Sequence, residues 1–319
     1  MANKLKKASV TAIRDCMGTK KDESVLVISD VNKREIGLSL FETARELGHK
    51  SLYLEMAPLK INGEEPSPEI ADMMKRYSVV LIPTTTSLTH TKARRDASAL
   101  GVRVATFPNI TKDIMIRGLT ADYHKITALC RKVKEKLETG SHIRITTKPG
   151  TDISFSIAGR KIYESKGLFH AKGESGNLPT GETYLAPVEG TANGTFVVDG
   201  SMASLGKITD TPLVFQVKNG VAESITGGKF AVKLNKMLDG VGPLARNIAE
   251  FGIGTNEKVK ISGIVLEDEK VLGTVHIAVG NNKSMGGEID VPIHLDGVIR
   301  KPDVYLDGEL IMKKGKMLF

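Results

Sequence analysis

The chain is expected to fold as α/β plus α+β. A Rossmann-like parallel-sheet domain would cover residues 1–140, and a β-rich domain carrying a metal site would cover 141–319. Three observations predict this. Continuous apolar runs alternate with amphipathic helical stretches as far as Leu137, and beyond Gly140 the runs become short, alternating and punctuated by Gly, Asn and Asp. One late run also carries the pair His294-Leu-Asp296. Strands sandwiched between helices read as unbroken apolar runs, whereas antiparallel strands with one solvated face alternate.

In the first part, Ser24-Val-Leu-Val-Ile-Ser29 reads as a buried strand. Residues 33–47 read as a helix with Ile36, Leu40 and Ala44 along one face and Gly48 as its stop. Strands follow at 51–54, 79–82 and 102–105, and helices at 68–76, 90–99 and 122–137. A nucleotide-binding use of this layout fails on detail. The turn after the first strand, Asp30-Val-Asn-Lys-Arg34, has no glycine to let a pyrophosphate approach the backbone, and Gly252-Ile-Gly254 lies in the other part. In the second part, residues 142–146, 152–157, 195–198, 213–217, 220–225 and 258–261 read as strands, and 230–239 and 243–250 as helical.

Composition excludes several classes. The net charge is +8, but the basic pairs are scattered without aromatic interleaving, so a solvated surface is expected and no nucleic-acid partner. No apolar run approaches a bilayer span and none follows the basic first residues, so neither a membrane partner nor a secretory signal is expected and the cytoplasm is the default. Cys16 and Cys130 are the only cysteines and are far apart, which argues against a thiolate zinc site and a disulfide framework.

The chemistry lies in the second part. Side chains at i and i+2 share one face of a strand, so His294 and Asp296 can reach one ion together. His276, in Gly273-Thr-Val-His276-Ile-Ala-Val-Gly280, could add an imidazole from a neighbouring strand. Two His and a carboxylate suit Fe(II), Zn(II), Co(II) or Mn(II). Three further acids enter. Glu182 ends the loop Gly176-Asn-Leu-Pro-Thr-Gly-Glu182, Glu250 closes a helical stretch before Phe251-Gly-Ile-Gly254, and Glu267-Asp-Glu269 precedes the His276 strand. Each has an ordinary reading too: Asp296 before Gly297 as a turn residue, Glu250 as a surface helix end, Glu267 to Glu269 as a charged hairpin tip. His49, His90, His124, His142 and His170 show no mutual spacing and are expected to be structural, although His90 follows a strand end where α/β domains often bind ligands.

Together these residues resemble the aminopeptidase T and aminopeptidase S family of metallo-aminopeptidases, including its short leucyl aminopeptidase members. The resemblance is clearest over Asn177 to Glu182, Ala249 to Gly254, Asp268-Glu269, His276 to Gly280 and His294 to Asp296. It implies a homodimeric hydrolase that removes N-terminal residues from peptides through water activated by two divalent cations (Zn, Co, Mn or Fe). Its implied ligands are Glu182, Glu250, His276, His294 and Asp296, with Glu269 displaced by two extra residues. Glu250 would bridge the cations or receive the proton. Where the family has a tyrosine soon after the second glycine of that strand, this chain has Asn281-Asn-Lys283, which leaves Lys283 as the candidate donor to an oxyanion. The sequence is also similar to the 2,5-dihydroxypyridine ring-cleaving dioxygenases, which hold one Fe(II) on a His, His, Asp set, here His276, His294 and Asp296. Retention of Glu182 and Glu250 favours two metals, hence hydrolysis. The alternatives are the mononuclear dioxygenase and a non-catalytic metal- or ligand-binding protein.

Overall fold

A computed structural model describes residues 2–319 and shows a mixed α/β architecture with one parallel and two antiparallel sheets. By internal contacts the chain forms two units. One comprises the chain up to Thr127 together with Lys166–Thr180, the other Ala128–Ser165 with Gly181–Phe319.

The first unit is built on a five-stranded parallel sheet in the order Ser51–Met56, Val25–Asp30, Val79–Thr84, Arg103–Pro108 and Ser175–Asn177. Val25 to Asp30 and Val79 to Ile82 are wholly buried, as unbroken apolar runs require. Pro83 lies inside its strand, beyond the last residue paired with the Val25–Asp30 strand, so its missing N–H costs no bond on that side. The helices Arg34–Glu46, Pro68–Met74, Lys92–Ala99 and Tyr123–Leu137 stand where the periodicity places them. Helices Ala2–Val10 and Lys112–Gly118 were not expected from the pattern; Thr111 caps the second by accepting a hydrogen bond from the Ile114 N–H.

The second unit holds an eight-stranded and a seven-stranded sheet, whose apolar faces share one core. Phe155 of the larger sheet meets Phe251 of the smaller at 5.4 Å between ring centroids. The smaller sheet runs Gly206–Lys207, Ser201–Met202, His294–Arg300, Thr274–Gly280, Ile248–Gly254, Glu182–Leu185 and Tyr163–Ser165. Two expectations fail here. Residues 258–261 are not a strand, and the helical reading of 243–250 shrinks to one short turn, Pro243–Arg246. Glu250 therefore lies inside a strand rather than at a helix end, because Gly280 takes up both the Asn247 carbonyl and side-chain amide and Ile248 pairs with Val279 at once.

Candidate metal centre

The register of four neighbouring strands decides which residues share a face. Gly252 lies opposite both His276 and Tyr184, Glu182 opposite Gly254, Glu250 and Asp296 both opposite Ala278, and His294 opposite Gly280. By the two-residue period, Glu182, Tyr184, Glu250, His276, His294 and Asp296 all stand on one face. The positions between them on that face are Gly252, Gly254, Ala278 and Gly280. Small residues there leave room above the sheet. Phe251, Ile253, Val275, Ile277, Val279 and Leu295 alternate with them and are buried in the core. The need for space is explicit at Gly252, where a Cβ would lie 2.1 Å from His276 Nε2.

The side chains converge. His276 Nε2 is 3.2 Å from Glu250 Oε1 and 3.6 Å from Glu182 Oε2. His294 Nε2 is 3.1 Å from Glu250 Oε2 and 3.4 Å from Asp296 Oδ1. Two overlapping ligand sets result, Glu182–Glu250–His276 and Glu250–His294–Asp296, with Glu250 common to both. The first set is buried, whereas the His294 side chain is 30 % exposed, so the centre opens to solvent on the His294 side.

Several features fit a cation. His294 Nδ1 lies 2.7 Å from the Asn281 carbonyl, which can only accept, so Nδ1 carries a proton and Nε2 is the nitrogen left to hold a second proton or a metal ion. A bare nitrogen facing two carboxylate oxygens is repulsive unless a proton or metal ion lies between them. Glu182 Oε2, which faces His276 Nε2 at 3.6 Å, is buried without a hydrogen-bond partner, a costly state for a polar atom. Burial works against charge on His276, but the Glu250 hydrogen bond and the Glu182 carboxylate outweigh it and bring its pKa up to about 9. His294 is also raised against its burial, by Asp296 and Glu250. Burial disfavours the charged form of Asp296 as well, yet the two imidazoles and Lys270 hold it well below the usual carboxylate range.

The run Glu267-Asp-Glu269 is not a solvated hairpin tip. It forms one helical turn, Val265–Asp268, in which Glu267 and Asp268 are fully buried. Glu267 accepts from the Lys260 N–H and Asp268 from the Ser262 and Gly263 N–H groups, so both fix the preceding loop. Glu269 falls in neither ligand set; it pairs with Lys270. Burial, followed by the Asp296 and Glu182 charges, pushes Glu269 up to about 8 in spite of that lysine. The Lys270 Nζ donates to Glu182 Oε1 at 2.7 Å, with its side chain only 2 % exposed.

Sequence reasoning missed Lys270, because the last member of a four-charge run ordinarily points to water. It also missed Asn281, whose contribution is a backbone carbonyl and leaves no trace in residue type. Lys283 is exposed; among the described residues, the side-chain ion pairs of the cluster join Glu182, Glu250, Glu269, Lys270, His276, His294 and Asp296. Cys130 lends support from below. Its Sγ lies 3.4 Å from the Glu182 carbonyl and 3.2 Å from Thr255 Oγ1, and burial pushes its thiol up to about 11. Both cysteines are free and buried. Among the described residues no helix is long and apolar enough to cross a membrane.

A face of clustered imidazoles and carboxylates over a small-residue floor defines a metal-binding class of protein. Comparison with known proteins narrows it. The profile of the NicX family, 2,5-dihydroxypyridine 5,6-dioxygenase, matches residues 4–319, and the chain belongs to that family. It is 22 % identical to the 2,5-dihydroxypyridine 5,6-dioxygenase of Pseudomonas putida KT2440 over 252 residues, 75 % of this chain and 71 % of that protein. The solved structure of the 2,5-dihydroxypyridine dioxygenase from Pseudomonas putida KT2440 superposes with a TM-score of 0.85 at 17 % identity, covering 100 % of this chain and 98 % of that one. Wild-type AmpT from Thermus thermophilus superposes with a TM-score of 0.71, also at 17 % identity, covering 99 % of each chain.

These findings correct the functional expectation. The resemblance to aminopeptidase T holds for the fold, but the family is that of the dioxygenases, an oxidoreductase class. The hydrolase, protease and metalloprotease reading is overturned. The physical reason for the error is that hydrolytic and oxygen-activating centres draw on the same imidazole and carboxylate donors, so residue types alone do not separate them.

Proposed function

We propose that this chain is a single-iron(II), ring-cleaving dioxygenase acting on an aromatic ring of the 2,5-dihydroxypyridine type. The observation that carries the reading is the family match across residues 4–319, laid over a face of imidazole and carboxylate donors of the kind that hold divalent ions. The set Glu250, His294 and Asp296 would hold the iron, because it is the set that reaches solvent and the other lies on a carboxylate already paired through Oε1 with the Lys270 ammonium. Iron(II), when bound, supplies the redox chemistry by which dioxygen reacts with a closed-shell ring.

The remaining steps belong to the protein. Asn281 holds His294 in the tautomer that presents Nε2. His276, lodged over Gly252, faces Glu250 Oε1 through its own Nε2 and keeps that carboxylate turned toward His294. The exposed edge of His294 marks the side from which ring and dioxygen approach. On the opposite side Lys270, Glu182 and Glu269 form a closed ionic floor that admits no substrate.

The test is oxygen uptake. Chain stripped of metal and reloaded anaerobically with one equivalent of Fe(II) should consume dioxygen and 2,5-dihydroxypyridine in equal amounts, with loss of the ring's ultraviolet absorption. Full iron occupancy with the ring recovered intact would refute the proposal and leave a metal-binding protein without this chemistry.

A further inference from the structure

We propose that Lys270 takes the place of a second cation and thereby limits the centre to one divalent ion. The inference builds on the single-iron reading and supplies the residue that enforces it.

The donor layout is that of a two-ion site. Two sets overlap, each has one imidazole, and Glu250 with its two oxygens stands between them, Oε1 toward His276 and Oε2 toward His294. Nothing in that layout by itself favours one ion over two. The asymmetry comes from Lys270. Its ammonium lies 2.7 Å from Glu182 Oε1 and against Glu269, and the side chain is 2 % exposed. Glu182 belongs to one set only; the lysine holds its Oε1 while Oε2 faces His276, so an ion of that set would bind a carboxylate already paired with an ammonium.

Carboxylate oxygens bind a transition-metal ion at about 2.0–2.2 Å. An ion on Glu182 would therefore stand within a few ångströms of a fixed ammonium in a site closed to water, where like charges repel strongly. The lysine has nowhere to withdraw, since its side chain is buried along its length. The charge count agrees. Glu182, Glu250 and Asp296, the carboxylates of the two sets, are three against one ammonium, so one divalent ion makes the cluster neutral and a second would leave it with two positive charges. Lys270 is thus a positioning residue that acts through Glu182, without touching substrate.

The experiment counts metal, with Mn(II) as the probe. Wild-type chain, Lys270→Met and Lys270→Ala are each equilibrated with excess Mn(II), and bound metal is measured by elemental analysis and by electron paramagnetic resonance. Wild type is expected to hold one ion per chain with the spectrum of an isolated Mn(II). At least one neutral variant is expected to hold two, with a spin-coupled spectrum. Two ions in the wild type would overturn the proposal. So would a folded pair of variants that both stay at one ion. Variants that fold only when Mn(II) is supplied, and then hold two ions, support it; variants that stay unfolded even with excess Mn(II) overturn it, because a cation then fails to replace the ammonium. Oxygen uptake keeps the two readings apart. A wild type with one ion and no uptake sinks the dioxygenase assignment and leaves Lys270's role standing, whereas uptake with both folded variants held at one ion does the reverse.

Discussion

Gly252→Ala is the sharpest probe of the packing that positions the centre. The added Cβ would sit 2.1 Å from His276 Nε2 and 2.3 Å from its Cε1, well inside contact distance. Backbone strain is not the issue, since Gly252 lies in a regular strand with ordinary φ. Ala in place of Gly would even stabilise by about 0.4–1 kcal/mol through the unfolded chain. Against that stands the steric term. His276 is wholly buried, so its ring moves only by pushing its neighbours, and overpacking of this kind costs about 1–3 kcal/mol. The net expectation is a loss of about 1.3 kcal/mol, the difference between the midpoints of those two ranges, with extremes of about 0 and 2.6 kcal/mol. A displaced His276 also releases Glu250, and loss of such support typically weakens metal binding by about 10- to 100-fold. The assay is thermal melting of the metal-free chain, together with anaerobic Fe(II) titration of wild type and variant. Unchanged melting and unchanged affinity would refute the claim that Gly252 is there to make room for the imidazole.

Three other outcomes are expected. Asp296→Asn and His294→Ala each remove a donor from the set proposed to hold iron, and metal content measured after dialysis should fall to a small fraction of wild type. Glu182→Ala should keep its single ion but leave the Lys270 ammonium half-paired in the interior, lowering unfolding free energy by about 3–5 kcal/mol in denaturant titrations; loss of the ion would count against the assignment. For the metal-free chain, the His276 pKa of about 9 lies above its unfolded value of 6.5, so that group's stabilisation is complete below pH 6.5 and lost as pH rises through 9. Glu269, raised to about 8, acts in the same direction, its penalty growing from about pH 4.5 to 8. Metal-free melting temperature should therefore fall between about pH 7 and 9, while stabilisation by added Mn(II), which needs deprotonated donors, should grow over the same interval.

Much of the layout could be read without coordinates. The alternation of apolar runs and helical stretches up to Leu137 corresponds to a parallel sheet, and His294-Leu-Asp296 and His276 do lie on adjacent strands. Those signals are local and periodic. What failed was tertiary. Glu250 was expected to end a helix, yet the helical turn stops at Arg246, and pairing with Val279 starts the strand two residues before the glutamate. Glu267 to Lys270 have the composition of a solvated tip, and only the loop N–H groups and the Glu182 carboxylate that receive them explain their burial. The carbonyl of Asn281 carries no identity signal at all.

The chemistry was harder to read than the fold, and the two structural neighbours show why. They superpose at TM-scores of 0.85 and 0.71, both at 17 % identity, so neither backbone nor overall identity marks out the reaction. The donor types do not mark it out either, because Glu182 and Glu250 persist in this chain and were the very residues that pointed toward two ions and hydrolysis. A carboxylate tells of the charge it offers, not of the cation that answers it. Here the structure answers Glu182 with Lys270, and a donor that looks like a metal ligand becomes one half of an internal ion pair. On the proposed role of Lys270, changing the number of ions in such a centre requires no change of fold or of ligand residues, only a basic side chain within hydrogen-bond reach of one ligand carboxylate. That makes the partner of each carboxylate the feature to inspect first when sequences of this fold are assigned a reaction.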